Sequence, residues 1–176
     1  MTPEIMNKIA VRARQMILEN IRQGIDINGK RFSYSEKPFA RPFDKRIKGY
    51  KQLIKDERLT VFKKDGKNNW MVVEGGYKDY RRMRGQNPDG DFLTDTGAEL
   101  RNFQIIELTA TIARLGFTDP KQLKKSLWQN TMGVGKSKKL WQWMGLRKEQ
   151  VKELAEYAAS LITGQYIEQL LKGIIK

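Results

Sequence analysis

The chain has 176 residues and contains neither cysteine nor histidine. Disulfide bonds, thiolate metal sites and cysteine nucleophiles are therefore excluded, and the commonest general base and transition-metal ligand is missing. The net charge is +14, from 34 basic and 20 acidic residues, and the basic excess lies in residues 1–60 and 119–176. Such a charge favours nucleic acid or an acidic protein surface as partner, although a merely soluble basic surface has the same composition.

The first predicted element is a long amphipathic helix. Thr2 is a suitable N-cap, Pro3 suits the first helical position, and Gly24 is the predicted end. Between them, apolar residues recur every three or four positions and predict one core-facing stripe: Ile5, Ile9, Ala13, Met16, Ile17 and Ile21. No apolar run approaches the ~20 residues of a membrane span, and the N-terminus lacks an apolar signal core. The chain is therefore expected in the cytoplasm when it is made.

The middle of the chain predicts a loop, a hairpin and a short helix. Residues 30–58 predict an extended loop, because their prolines interrupt any steady period. Residues 59–62 and 70–73 predict two strands, and Asp65-Gly66 predicts the turn that joins them. A short helix is expected over residues 77–83. Four aromatic side chains are expected to pin the loop: Phe32, Tyr34, Phe39 and Phe43.

Residues 91–103 read DFLTDTGAELRNF. Threonine and aspartate side chains followed by Gly97 predict a tight turn, and residues 98–101 predict a short helix directly after it. The β-branched and apolar content of residues 103–108 and 109–115 predicts two further strands.

The remaining residues are predicted to be mainly helical. Helices are expected over residues 121–130 and 147–163, with a loop rich in glycine and lysine over 131–139. Gly164 is expected to interrupt the last helix. Beyond it, an amphipathic tail over residues 164–176 carries the apolar side chains Ile167, Leu170, Leu171 and Ile174.

The order of four motifs resembles the phage virion morphogenesis proteins, the tail-completion or neck proteins that join head and tail. Residues 24–32 read GIDINGKRF and match a G-x-x-x-x-G-x-x-F segment, which Tyr34-Ser35 follow as expected. Residues 93–100 read LTDTGAEL and match an L-T-x-T-G-x-x-L turn. Residues 143–146 read WMGL, and an F/W-x-G-L sequence often opens the last helix of these proteins. These motifs are spread over most of the chain, between the first predicted helix and the last.

The resemblance implies a structural role without catalysis, metal or cofactor. The expected fold is α+β, with a long N-terminal amphipathic helix and C-terminal helices packed on a small antiparallel sheet. One domain would cover residues 1–163, with the tail at 164–176. The chain is expected in the virion neck or tail as a homo-oligomeric ring, and in the host cytoplasm before assembly. Its partners would be itself and neighbouring head-connector and tail-tube or terminator proteins, with non-specific contact to packaged DNA and no membrane contact.

Two groups of cations are candidates for partner binding through a protein interface or a DNA-facing surface. Arginine forks bind carboxylates and phosphates with defined geometry, and flexible lysines supply diffuse positive charge. The candidates are Arg81, Arg82, Arg84, Lys136, Lys138 and Lys139. Candidates for the oligomer interface are the four apolar tail residues together with Trp141 and Trp143, of which one ring is expected inside and one toward a neighbour.

The same sequence suggests three alternative functions. The GVGKS sequence at residues 133–137 lacks the first glycine of a phosphate-binding loop, since Asn130 stands there, and it follows a predicted helix rather than a strand. Asp89, Asp91 and Asp95 could hold Mg²⁺ in a nuclease, but aspartate is common in turns for local hydrogen bonding. A nucleic-acid-binding accessory protein that uses the two basic ends is the main rival to the structural role.

Overall fold

The computed structural model describes residues 1–64, 66, 68–90, 92, 97–133, 138 and 140–174, excluding the side chains of 68 and 168–174. Helices and antiparallel sheets make up the fold, which confirms the predicted α+β class. In chain order the elements are α1 Pro3–Gln23, β1 Phe39–Pro42, α2 Tyr50–Lys55, β2 Leu59–Lys64, β3 Asn68–Val73, α3 Gly76–Met83, α4 Ala98–Asn102, β4 Phe103–Leu108, β5 Ala113–Phe117, α5 Pro120–Leu127, a π-helical turn Trp128–Met132, and α6 Lys148–Ile174.

The chain divides into two compact units. Unit 1 contains residues 1–31 and 93–176, and unit 2 contains residues 32–92. The domain boundaries expected at residues 163 and 164 stay a prediction. Within the described residues, no helix is long and apolar enough to cross a membrane.

In unit 1, α1 has the ends that the sequence predicts. The Thr2 hydroxyl accepts a hydrogen bond from the Ile5 N–H at 3.3 Å, which satisfies one of the open donors at the helix start. Gly24 ends the helix with a φ of 67°, a left-handed conformation that glycine adopts without steric cost. The buried face of α1 packs on the β4–β5 hairpin and on α6.

Two predicted boundaries in unit 1 are wrong. The strand expected from residue 109 begins at Ala113, because the Thr109 hydroxyl accepts the N–H groups of Thr111 and Ile112 and closes a turn. Helix α6 also runs through Gly164 without the predicted break. A glycine inside a helix costs only about 1 kcal/mol relative to alanine, so one such residue need not end a 27-residue helix.

In unit 2, the three strands form an antiparallel sheet in the order β1-β3-β2. The predicted hairpin of β2 and β3 is confirmed, but the predicted loop over residues 30–58 is wrong, since it contains β1 and α2. Strand β1 forms because it pairs with β3, from Phe39 opposite Val73 to Pro42 opposite Trp70. It is an edge strand, and proline is tolerated there because its missing N–H is not needed for pairing inside the sheet.

One face of this sheet covers the core of unit 2. Alternate residues of β2 and β3 turn inward and are fully buried, among them Leu59, Met71 and Val73. They pack against Tyr80 and Met83 of α3. Because strand side chains alternate between faces, the neighbouring residues Phe62, Trp70 and Val72 lie on the opposite face.

Candidate functional site

An open apolar groove lies in unit 1 between α1, β5 and α6. Its volume is about 390 Å³, and its rim includes Ile112, whose side chain is 46% exposed although it is large and apolar. Exposed apolar surface of this kind is typical of protein–protein contact sites. The lining residues are Met6, Ile9, Ala10, Ala13, Thr111, Ile112, Ala113, Leu115 and Leu154.

Helix α6 is anchored to α1 at its first turns. Asn20 and Gln150 exchange two side-chain amide hydrogen bonds, at 2.7 and 2.9 Å, and both residues are buried. Because each amide donates to the other, this pair stabilises the helix contact without leaving a buried amide group unsatisfied. Arg12 extends the contact with an ion pair to Glu153 at 2.5 Å.

The C-terminal part of α6 extends past α1. Asn20 bonds to Gln150, whereas Arg12, nearer the start of α1, pairs with Glu153, so the two helices are antiparallel. Because α1 begins at Pro3 and α6 continues to Ile174, the last residues of α6 lie past the start of α1. On this part of α6, Ile162, Tyr166 and Ile167 are exposed, Ile167 by 51%. The predicted interface residue Ile167 therefore lies on a free surface. Leu170, Leu171 and Ile174 follow on the same helix, and their side chains lie outside the described part.

Trp141 and Trp143 do not lie on such a surface. Trp143 is completely buried and Trp141 nearly so. The Trp143 indole packs edge-on against Phe103 and Phe117, and its N–H donates to the Gln129 side-chain oxygen at 3.1 Å. The prediction that one tryptophan ring faces a neighbouring subunit is wrong, because both rings are buried within the chain.

A buried polar group in the same core was not predicted from the sequence. The Glu99 side chain of α4 is fully buried, and it accepts hydrogen bonds from the Ser126 hydroxyl at 2.6 Å and pairs with Lys125 at 2.7 Å. Residues 27 positions apart in sequence therefore join α4 to α5. The only sequence signal was the position of Glu99 in the first turn after Gly97, where an acidic residue also suits the helix dipole.

Of the three predicted arginines, Arg81 and Arg82 lie in α3 and Arg84 is its C-cap, and their surroundings differ. Arg81 is only 2% exposed, and its guanidinium lies 4.9 Å from the centre of the Tyr34 ring. The Arg84 side chain is 7% exposed and lies 3.7 Å from Asp44. Only Arg82 is open to solvent, at 49%, and it lies 3.5 Å from Asp89. The three cations therefore do not form one exposed docking cluster.

Asp44 is the centre of a buried polar network in unit 2. Arg46 donates to both of its carboxylate oxygens, at distances from 2.8 to 3.2 Å, and the Tyr80 hydroxyl donates to one of them. The Arg46 hydrogen bonds hold the pKa of Asp44 well below its usual range despite its burial. Burial and the bond to Asp44 raise the pKa of Tyr80. This network fixes the segment after β1 against α3.

The other predicted polar sites lie partly outside the described residues. Lys138 is exposed, while Lys136 and Lys139 are not described. Asp89 forms ion pairs with Lys78 and Arg82, whereas Asp91 and Asp95 are not described. In the part of the chain that the structure covers, no three acidic or metal-ligating side chains come together as a metal site.

Comparison with protein-family models, with curated proteins and with solved structures finds no match to this chain.

Proposed function

We propose that this chain is a structural subunit of a homo-oligomeric ring in the neck of a phage particle, where it joins head and tail. The motif order from residue 24 to residue 146 supports the assignment to this class of protein. Two observations in unit 1 support the ring. One is the open groove lined by α1, β5 and α6, and the other is the exposed apolar residue Ile167 on the C-terminal part of α6.

The groove and the end of α6 both carry apolar residues, but they cannot meet within one chain. Leu154 lines the groove, and Leu170 lies 16 positions further along the same helix, about 24 Å away at 1.5 Å per residue. The apolar end of α6 can therefore fill only the groove of another copy. Because the two surfaces differ, each copy can contact the next one head-to-tail, and such contacts close into a ring when the rotation allows it. A reciprocal exchange between two copies would instead stop at a dimer, so a wild-type oligomer larger than a dimer is the result that the ring requires.

The cations that remain exposed suit contact with neighbours of opposite charge. Arg82 and Lys138 are solvent-exposed, and the net charge of +14 favours acidic connector or tail surfaces, with non-specific contact to packaged DNA. No catalytic group, metal or cofactor is required for this role.

Sedimentation velocity of the full chain tests the ring. We expect the wild-type chain to form a defined oligomer at micromolar concentration. Ile112→Glu places a charge on the groove rim, and Leu170→Glu with Leu171→Glu places charges on the apolar end. Each variant should be monomeric. Lys152→Glu changes an exposed residue of α6 and should assemble like the wild type.

Mixing the two interface variants tests whether the groove of one copy receives the α6 end of another. The Ile112→Glu chain keeps an intact α6 end, and the Leu170→Glu, Leu171→Glu chain keeps an intact groove. One contact can form between them but cannot propagate, so the mixture should give a dimer and nothing larger. A wild-type chain that stays monomeric, or variants that assemble like the wild type, would contradict the proposed interface.

A further inference from the structure

The outer face of the sheet in unit 2 is an exposed aromatic surface. Phe62 of β2 and Trp70 of β3 are directly opposite each other in the register, on the face away from the buried Leu59, Met71 and Val73. Phe62 is 39% exposed, and Trp70 is partly exposed. The flanking residues Ala40, Pro42 and Thr60 are exposed as well, so this face has no covering layer among the described residues.

A cation accompanies the two rings. The Lys64 ammonium lies 4.3 Å from the centre of the Trp70 ring, within the range of a cation–π contact. Lys64 is on the outer face because it pairs with Asn68, two positions from Trp70 in β3. The lysine side chain is long and exposed, so its charge can move from the ring to a bound anion.

More positive charge lies at the end of the sheet where Lys64 and the β2–β3 turn are found. Pro42 pairs with Trp70, and the Phe43 N–H continues the ladder to the Asn69 carbonyl at 3.0 Å. Residues 43–49 therefore leave the sheet at the end where the β2–β3 turn lies. Exposed cations at this end are Lys45, Arg46, Lys48, Lys63 and Lys64.

Little negative charge balances these cations. Within residues 39–49 and the described part of 59–73, Asp44 is the one carboxylate, and it is buried and hydrogen-bonded to Arg46. The described surface here thus combines flat aromatic rings with a basic margin. Single-stranded nucleic acid has the complementary chemistry, since its unpaired bases stack on aromatic rings and its phosphates bind cations.

We propose that the outer face of the β1-β3-β2 sheet binds single-stranded nucleic acid, with bases stacked on Phe62 and Trp70 and a phosphate near Lys64. Lys45 and Lys48 add positive charge at the end of the sheet. A duplex is disfavoured because its base faces are already stacked inside the helix. The site is in unit 2 and uses neither the groove nor the end of α6, so it is independent of the proposed ring contact.

Fluorescence anisotropy with a labelled 20-nucleotide oligo(dT) and a 20-base-pair duplex, both used with the full chain, tests this site. The single strand should bind more tightly than the duplex at the same salt concentration. Phe62→Thr keeps a residue suited to a strand and removes the ring, and it should weaken oligo(dT) binding about fivefold or more.

The chain offers a matched control for the aromatic variant. Trp128 is 52% exposed and has Lys124 over its ring at 5.3 Å, so it is a similar lysine–tryptophan pair on a helix of unit 1. Trp128→Ala should leave oligo(dT) binding unchanged. For charge, Lys45→Glu with Lys48→Glu should weaken binding more than Lys148→Glu with Lys152→Glu, which alters net charge equally.

Ultraviolet crosslinking of oligo(dT) to the wild-type chain, followed by mass spectrometry of peptides, gives a test that needs no variant. Crosslinks should map to the peptides that contain Phe62 and Trp70. Equal binding by the Phe62→Thr and Trp128→Ala chains, a duplex that binds as tightly as the single strand, or crosslinks confined to unit 1 would each overturn the proposal. None of these outcomes bears on ring formation.

Discussion

The Tyr80 hydroxyl donates a hydrogen bond to the carboxylate of Asp44, 36 positions earlier in the chain. Tyr80 lies on α3 and is completely buried, and Asp44 follows β1. Arg41 and Arg84 lie over the Tyr80 ring, with guanidinium carbons 4.5 and 5.6 Å from its centre. The phenol therefore joins the aromatic core of unit 2 to the charged network around Asp44.

Tyr80→Phe should lower stability by about 1.5–3 kcal/mol, because it removes a hydrogen bond to a charged acceptor and keeps the ring. Thermal and urea unfolding followed by circular dichroism measure the change. Tyr50→Phe is the control, since Tyr50 is exposed, and its unfolding midpoint should not move. Equal midpoints for the Tyr80→Phe variant and the wild type would show that the Asp44 contact is not structural.

The same network predicts an acid-sensitive stability. The pKa of Asp44 is lower in the folded chain than its ordinary value of 3.8. The stability that the ionised Asp44 carboxylate contributes is thus fully present above pH ~4. It is lost as the pH falls below the pKa that Asp44 has in the unfolded chain. Asp44→Asn should be less stable than the wild type at pH 7, and the difference should shrink between pH 4 and pH 2. A stability difference independent of pH would contradict the assignment.

Reversing the charge of Arg81, Arg82 or Arg84 one at a time should lower stability by an amount that depends on the burial of each side chain. Arg81→Glu and Arg84→Glu each place a carboxylate in a buried site, and Arg84→Glu places it next to Asp44, so each should cost more than about 3 kcal/mol. Arg82→Glu should change stability by less than about 0.5 kcal/mol, as is usual on the surface. Chemical denaturation gives the three values, and similar costs for all three would contradict the burial pattern.

Three glycine-to-alanine variants should have graded effects. Gly97 has a φ of 68°, and an added Cβ would meet only the flexible end of Arg101, so Gly97→Ala should cost about 1–2 kcal/mol. Gly76→Ala should cost more, because its Cβ would lie 2.4 Å from the Glu36 backbone at a φ of 70°. Gly164 lies in α6 with open space around it, so Gly164→Ala should stabilise by about 0.4–1 kcal/mol. Unfolding midpoints in any other order would be inconsistent with these backbone conformations.

The sequence predicted the elements that are determined by residues close together in the chain. The α1 ends follow from Thr2, Pro3 and Gly24, and the β2–β3 hairpin follows from two apolar runs around Asp65-Gly66. Strand β1 could not be predicted in this way, because its extended conformation is stabilised by pairing with β3, about 30 residues later.

The sites were harder to predict than the elements. Arg81 and Arg84 looked like surface cations because α3 is rich in charge, but their burial depends on Tyr34 and Asp44, which are distant in sequence. The apolar tail was predicted as an interface; Ile167 is exposed, and the interface itself stays a prediction. The groove on α1, β5 and α6 could not be predicted, since three separate segments form it.

Immunogold electron microscopy of purified phage particles tests the proposed role in the phage neck most directly. The particles are taken from the strain that carries the gene. Antibody raised against the full chain should label intact particles at the junction of head and tail, and particles made with the Ile112→Glu chain should lack joined tails. Purified, infectious particles that contain none of this chain, or label distributed away from the junction, would contradict the claim.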